Sequence, residues 1–115
     1  MRGCDILVNR HRPAIAMNAS DLLALDATRL SELIARRELS CRELMGATLA
    51  RIEALNPRFN AIVSLRDPQQ LLDEAGERDA HLARGERLGW MHGFPLAVKD
   101  LSHAAGLPTS MGSPI

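Results

Sequence analysis

Lys99 is the residue of this sequence whose position best suits catalysis. It follows a short apolar run, Leu96 to Val98, which predicts a buried strand because such a run needs cover on both faces. At the exit of a buried strand, desolvation lowers the pKa of a lysine amine. A neutral amine can accept a proton near neutral pH, so the pattern indicates a general base. An ordinary strand that ends in a solvated lysine is the alternative.

The segment that follows Lys99 has the composition of an active-site wall. Residues 101–115 contain no Asp, Glu, Lys or Arg, although charged residues make up 24% of the chain. The glycines and prolines of this segment forbid a regular helix, and its small side chains let the backbone approach a ligand closely. We therefore expect a neutral loop, rich in glycine and hydroxyl groups, beside the lysine.

A series of residues around Lys99 forms an extended motif. It reads Gly, an apolar residue and Pro, then a short apolar run, Lys-Asp, and finally Gly-x-x-Thr-x-x-Gly-Ser. This motif resembles the signature of the amidase signature family of serine hydrolases, and the similarity extends back to about Met17. The matching positions are Gly93, Phe94, Pro95, Lys99, Asp100, Gly106, Thr109, Gly112 and Ser113.

The resemblance implies hydrolysis of carboxylic amides through an acyl-serine intermediate and a Ser–cis-Ser–Lys triad. Lys99 matches the lysine of that triad, while Asp100 is expected to hydrogen-bond to nearby backbone. The serines after Lys99 are Ser102, Ser110 and Ser113. None lies in the glycine-rich context of the family's nucleophile, and Ser113 corresponds to the structural Gly-Ser turn. We therefore expect an N-terminal fragment that lacks both triad serines and is inactive alone, with no substrate-binding residue assigned.

Three helices are predicted before the motif. The first begins near Asp26 and places Leu30, Leu33 and Ile34 on one face. The second opens at Ser40, where Ser40 and Glu43 form a capping box, and it stops at Asn56-Pro57. The third runs from Pro68 towards Gly85.

Two strands complete the predicted elements, one over Ala61–Leu65 and one over Leu96–Val98. The order helix, helix, strand, helix, strand predicts an α/β fold: N-terminal helices and the first strands of a mixed sheet covered by helices, in an incomplete domain. Residues 1–16 show no periodicity and are interpreted as an N-terminal extension, with translation beginning at Met1 or Met17. Residues 17–115 form the N-terminal part of a truncated amidase domain.

Composition limits the class of protein. A formal net charge of zero and a pI near 6.9 favour neither nucleic acid nor an anionic membrane as a partner. Cys4 and Cys41 have no motif spacing, which argues against a disulfide scaffold and indicates a cytoplasmic protein. His81, His92 and His103 lack the short spacing of zinc ligands, so no metal and no other cofactor is predicted.

Two further interpretations of the chain remain open at this stage. One is a non-catalytic remnant or interaction module, for which self-association into a homo-oligomer would cover exposed strand edges and apolar surface. The other, within the same family, is an A-type subunit of an amidotransferase. For the amidase interpretation, the partner of the full-length protein is a small-molecule amide substrate.

Overall fold

The computed structural model describes residues 17–115, and this part of the chain contains helices and no strand. The predicted extension over residues 1–16 lies outside the described residues. The helix bounds are Ala19–Leu23 for α1, Ala27–Ala35 for α2, Cys41–Phe59 for α3 and Pro68–Ala83 for α4. Short connections join α1, α2 and α3, an irregular segment over residues 60–67 joins α3 to α4, and irregular chain follows residue 83.

Local sequence explains where the first three helices begin. Asn18, Asp26 and Ser40 each place a side-chain oxygen on a backbone N–H of the first turn, at 2.9, 2.7 and 2.9 Å. Such caps satisfy donors that have no partner inside the helix. Ser40 is also the first residue of the predicted capping box, because its own N–H donates to the Glu43 carboxylate at 2.8 Å.

The core lies between α3 and its neighbours. α3 packs against both α1 and α4, and α2 contributes Leu33 and Ile34, each 1% exposed. The sulfur-bearing side chain of Cys41 fills the same core at the first turn of α3, where it is fully buried. The apolar members of the core are Leu22, Leu30, Leu33, Ile34, Leu39, Cys41, Leu44, Ala47 and Ala75.

The predicted strand over Ala61–Leu65 is wrong. This segment is irregular, and its Val63 and Leu65 side chains are exposed. A strand requires a neighbour that exchanges N–H···O=C bonds with it, and no second extended segment lies beside it in residues 17–115. The side chain of Asn56 satisfies the backbone instead: it accepts from the Ile62 N–H and donates to the Ile62 carbonyl, both at 2.8 Å.

The predicted strand over Leu96–Val98 is wrong for the same reason. Leu96 is 81% exposed and Val98 is 42% exposed, so neither face of this run is covered by the described residues. The expectation of an α/β fold with the first strands of a mixed sheet is therefore contradicted over residues 17–115. β-rich sequence alone cannot form a sheet, because the ladder partner has to come from elsewhere in the chain.

The predicted helix boundaries were partly correct. The helix after Asp26 and the helix after Ser40 are confirmed, whereas the separate helix α1 was not predicted. The expected stop at Asn56-Pro57 is wrong, because α3 continues through Pro57 to Phe59 and ends at Asn60 in the left-handed conformation. Pro57 removes one helical hydrogen bond because it lacks an N–H, and α3 ends two residues beyond it.

Candidate active-site segment

Lys99 lies at the end of an irregular stretch, residues 94–99, and its side chain is exposed. The buried strand that was expected to desolvate the amine is absent from the described residues. The backbone of Lys99 is nevertheless restrained by contacts of the chain before it and of the chain after it. On the N-terminal side the chain is packed against the helices at His92 and Gly93, and on the C-terminal side it enters a hydrogen-bonded loop.

Gly93 is the point of closest contact between the motif and the helices. A Cβ atom added there would lie 2.2 Å from Sγ and 2.8 Å from Cβ of Cys41. The backbone of Gly93 also has φ of +75°, a conformation that favours glycine. The first glycine of the motif is therefore required both by the space beside α3 and by its own backbone angle.

His92 joins the motif to α4. The ring is buried, with 4% of the residue exposed. Its Nδ1 accepts a hydrogen bond from the Leu88 N–H at 3.1 Å, and its Nε2 donates to the Arg78 carbonyl at 2.8 Å. These partners define the neutral tautomer with hydrogen on Nε2. The sequence alone could not predict this contact, because no local pattern indicates a partner 14 residues away.

Ser31 on α2 fixes the turn that precedes His92. Its hydroxyl donates to the Trp90 carbonyl and accepts from the Arg87 guanidinium at 2.8 Å. The Trp90 ring in turn contacts Phe94 edge to face, with centroids 6.1 Å apart. The turn before Gly93 is thus attached to α2 as well as to α4.

The side chain of Cys41 packs directly against the backbone of Gly93. The N–H groups of Cys41 and Arg42 donate to the Asp79 carboxylate at 2.7 and 3.1 Å, so α4 supplies a second cap to the N-terminus of α3. Burial, together with the hydrogen bond and charge of Asp79, raises the pKa of the Cys41 thiol to about 12. Because the thiol remains protonated, Cys41 is a packing residue and not a nucleophile.

Asp100 organises the loop after Lys99. Its carboxylate accepts hydrogen bonds from the Ser110 N–H at 2.8 Å, the Ser110 hydroxyl at 2.6 Å and the Gly112 N–H at 2.9 Å. The Met111 N–H donates to the Asp100 carbonyl at 3.3 Å. These bonds, that of the Ser110 hydroxyl above all, lower the pKa of Asp100 to about 2, so the side chain is a carboxylate at neutral pH.

The remaining motif residues lie in the same loop. The Thr109 hydroxyl donates to the Ser102 carbonyl at 3.3 Å, and the Ser113 N–H donates to the Ser110 carbonyl at 3.0 Å. Gly106 and Gly112 have φ of +78° and +75°, yet nothing lies within 4 Å of an added Cβ. Their backbone angles, not a close contact, favour glycine there. Pro95 is half-buried at the start of the irregular stretch.

The described part of the chain contains no group of three or more His, Cys, Asp and Glu side chains arranged to bind a metal ion. Of the histidines considered in the sequence, His81 contacts Glu86 at 2.7 Å and His92 is occupied by backbone partners. Across residues 17–115, no helix combines the length and the apolar character that crossing a membrane requires.

Comparison with known proteins identifies the family. The family model for amidases matches residues 43–115, a range that includes nearly all of α3, together with α4, Lys99 and the Asp100 loop. This chain belongs to the amidase family.

Curated relatives agree with this assignment. An acylamidase of Rhodococcus erythropolis is 38% identical over 96 residues, which are 84% of this chain and 20% of that protein. The A-type subunit of the glutamyl-tRNA(Gln) amidotransferase of Acidothermus cellulolyticus is 44% identical over 96 residues, 84% of this chain and 19% of that protein. The corresponding subunit from Streptomyces coelicolor is 38% identical with the same coverage. The chain thus spans about a fifth of these relatives. No solved structure gave a significant match.

Proposed function

We propose that this chain supplies the lysine general base of an amidase that hydrolyses small carboxylic amides through an acyl-serine intermediate. The observation that carries this proposal is the amidase match over residues 43–115, a range that includes Lys99 and the motif residues on both sides of it. The Lys99-Asp100 pair stands where the family motif has its lysine and aspartate.

The chemistry requires Lys99 as a neutral amine. It would accept a proton relayed from the nucleophilic serine through the cis-peptide serine, while the serine oxygen attacks the carbonyl carbon of the amide. The C–N bond then breaks, the amine leaves with a proton, and water hydrolyses the acyl-serine ester to release the acid. No residue of this chain is assigned to the two serine roles, so the proposal gives it the base and the base's surrounding loop.

Because the Lys99 side chain is exposed, the proposed role as a base requires another part of the protein to bury it. An amine in water stays charged at neutral pH, whereas burial favours its neutral form. The relatives extend far beyond the matched 96 residues. We therefore propose that a further part of an amidase domain covers the exposed side of residues 96–101 and desolvates Lys99.

A chimera tests the assignment of Lys99. In the Rhodococcus erythropolis acylamidase, the 96 matched residues of this chain would replace their counterpart, and hydrolysis of a chromogenic anilide would be followed in a stopped-flow instrument. Lys99→Ala and Lys99→Arg are expected to abolish the acylation burst, because neither side chain can act as a base at neutral pH. Arg51→Ala, which removes an exposed positive charge on α3, is the control and should keep the burst. A normal burst from Lys99→Ala would disprove the general-base role.

A second candidate within the family is transfer of an amide nitrogen, as in an A-type amidotransferase subunit. The Acidothermus cellulolyticus subunit has a higher identity to this chain than the acylamidase over the same length, 44% against 38%. A parallel chimera in that subunit separates the two activities. Function retained only in the amidotransferase chimera would favour nitrogen transfer, and function retained only in the acylamidase chimera would favour hydrolysis.

A cytoplasmic location and a homo-oligomeric state are further parts of the proposal. The two cysteines give no disulfide framework, and Cys41 is buried as a free thiol. Large apolar side chains, among them Leu88, Trp90, Leu96 and Leu101, are exposed and support association. If instead the chain is a non-catalytic interaction module, both chimeras should be inactive while the chain alone binds a partner.

A further inference from the structure

We propose that Asp100 is a positioning residue for Lys99: its carboxylate closes residues 109–112 into a turn that restrains the backbone at Lys99. This inference rests on the proposed function, since a restrained lysine matters only if Lys99 is the base. Asp100 itself takes no part in proton transfer, and it acts through the loop that it closes.

The hydrogen bonds of the loop converge on Lys99 and Asp100. The Asp100 carboxylate accepts from the Ser110 N–H, the Ser110 hydroxyl and the Gly112 N–H, between 2.6 and 2.9 Å. At the other end of the loop, the Ser102 N–H donates to the Lys99 carbonyl at 2.9 Å. Hydrogen bonds to an ionised acceptor are stronger than those between neutral groups. The carboxylate is therefore the main link between the two ends of the loop.

Few other bonds close the loop. Residues 101–115 contain no second carboxylate side chain, and neither a helix nor a strand forms in them. Two further bonds, from the Thr109 hydroxyl to the Ser102 carbonyl and from the Met111 N–H to the Asp100 carbonyl, join neutral groups and are longer, both at 3.3 Å. Met111 has φ of 54°, a left-handed conformation that is unfavourable for such a residue. Because the Asp100 bonds offset this cost, loss of the carboxylate should open the turn.

Opening of this turn would increase the mobility of the Lys99 backbone, because Lys99 has few other restraints. Residues 94–99 lack a ladder partner, and the packed contacts of the preceding chain end near Phe94. The hydrogen bond from the Thr109 hydroxyl to the Ser102 carbonyl connects residues 109–112 to the turn that the Ser102 N–H closes on the Lys99 carbonyl. Opening of the turn over residues 109–112 would therefore weaken the restraint on Lys99. Lys99 would then be attached to the helices only through the irregular stretch before it.

Nuclear magnetic resonance of the 115-residue chain tests the inference. In Asp100→Ala we expect the amide protons of Ser110 and Gly112 to exchange with solvent faster by roughly tenfold or more. The heteronuclear NOE of the Lys99 amide should fall as well. Asp100→Asn retains one acceptor oxygen and should show a smaller change. Asp67→Ala removes an aspartate whose side chain makes no capping hydrogen bond, so it should leave all three amides unchanged.

Rescue by a small carboxylate distinguishes positioning from a general loss of structure. Formate added to Asp100→Ala can occupy the vacated position and accept the bonds from Ser110 and Gly112, so their amide shifts should return towards wild type. General unfolding would also shift resonances of α3 and α4, and formate would not reverse it. The inference is overturned if Asp100→Ala leaves the Ser110 and Gly112 amides unchanged, if the loop opens without affecting Lys99, or if formate restores nothing.

The two proposals fail separately. If the Lys99→Ala chimera keeps its burst while Asp100→Ala frees the Lys99 backbone, the base assignment is wrong and the restraint is real, but it serves no catalytic lysine. If Lys99→Ala abolishes the burst while Asp100→Ala leaves the Lys99 amide unchanged, the proposed function stands and the positioning role is overturned.

Discussion

The two sides of the amidase motif are held in different ways. The first, here called the anchor (residues 88–94), contacts three helices through buried groups: Ser31 of α2, Cys41 of α3 and the Arg78 carbonyl of α4. The second, the lysine loop (residues 95–113), contains no buried residue and depends on hydrogen bonds to Asp100. Packing against the helices therefore contributes to the choice of motif residues in the anchor, whereas those of the lysine loop are explained by local hydrogen bonds and backbone angles alone.

Truncation of apolar side chains should show the contrast most strongly. Leu33→Ala removes a side chain that is 1% exposed and should lower the free energy of unfolding by about 2–5 kcal/mol, because it leaves a cavity among the helices that carry the anchor. Leu96→Ala truncates an 81% exposed residue of the lysine loop, and its effect should stay within about 0.5 kcal/mol. Urea titrations measure both, and similar losses would contradict the comparison.

A pair of glycines gives a sharper version of the same test. Gly93→Ala should cost about 2–4 kcal/mol, since its Cβ would overlap Cys41 and its backbone is left-handed. Gly112→Ala has the same φ of +75° but no neighbour within 4 Å, so about 1 kcal/mol is expected. Both would be followed by urea denaturation.

Cys41→Gly provides the control, because it removes both atoms that the new methyl group of Gly93→Ala would meet. The double variant should lose less free energy of unfolding than the sum of the two single variants. Equal losses from Gly93→Ala and Gly112→Ala would show that the contact with α3 contributes nothing to the choice of glycine at position 93.

The smallest effect concerns pH and belongs to the lysine loop. The pKa of Asp100 is lowered from 3.8 to about 2 in the folded chain. Its stabilising contribution is therefore complete above pH about 4 and is lost as pH falls towards 2. The difference in free energy of unfolding between wild type and Asp100→Ala should shrink over that interval. A difference that stays constant from about pH 5 to about pH 2 would contradict the assigned hydrogen bonds.

Local signals predicted the start of each long helix correctly. Asp26, Ser40 and Pro68 mark the beginnings of α2, α3 and α4, because capping depends on residues within one helical turn. The end of α3 was not predicted correctly, because the helix continues for two residues beyond Pro57 despite the hydrogen bond that this proline removes. The two predicted strands were wrong because β-rich runs require a partner, which the described residues lack.

The sequence by itself determined the motif, the family and the helix caps, since each is carried by residue types at short spacing. Only the tertiary structure showed that Gly93 rests on Cys41, that His92 binds the Arg78 carbonyl and that Asp79 caps α3. These contacts join residues far apart in the chain, and no local pattern specifies them. The exposure of Lys99 was likewise decided by tertiary structure, because desolvation depends on which distant groups cover a side chain and not on its neighbours in sequence.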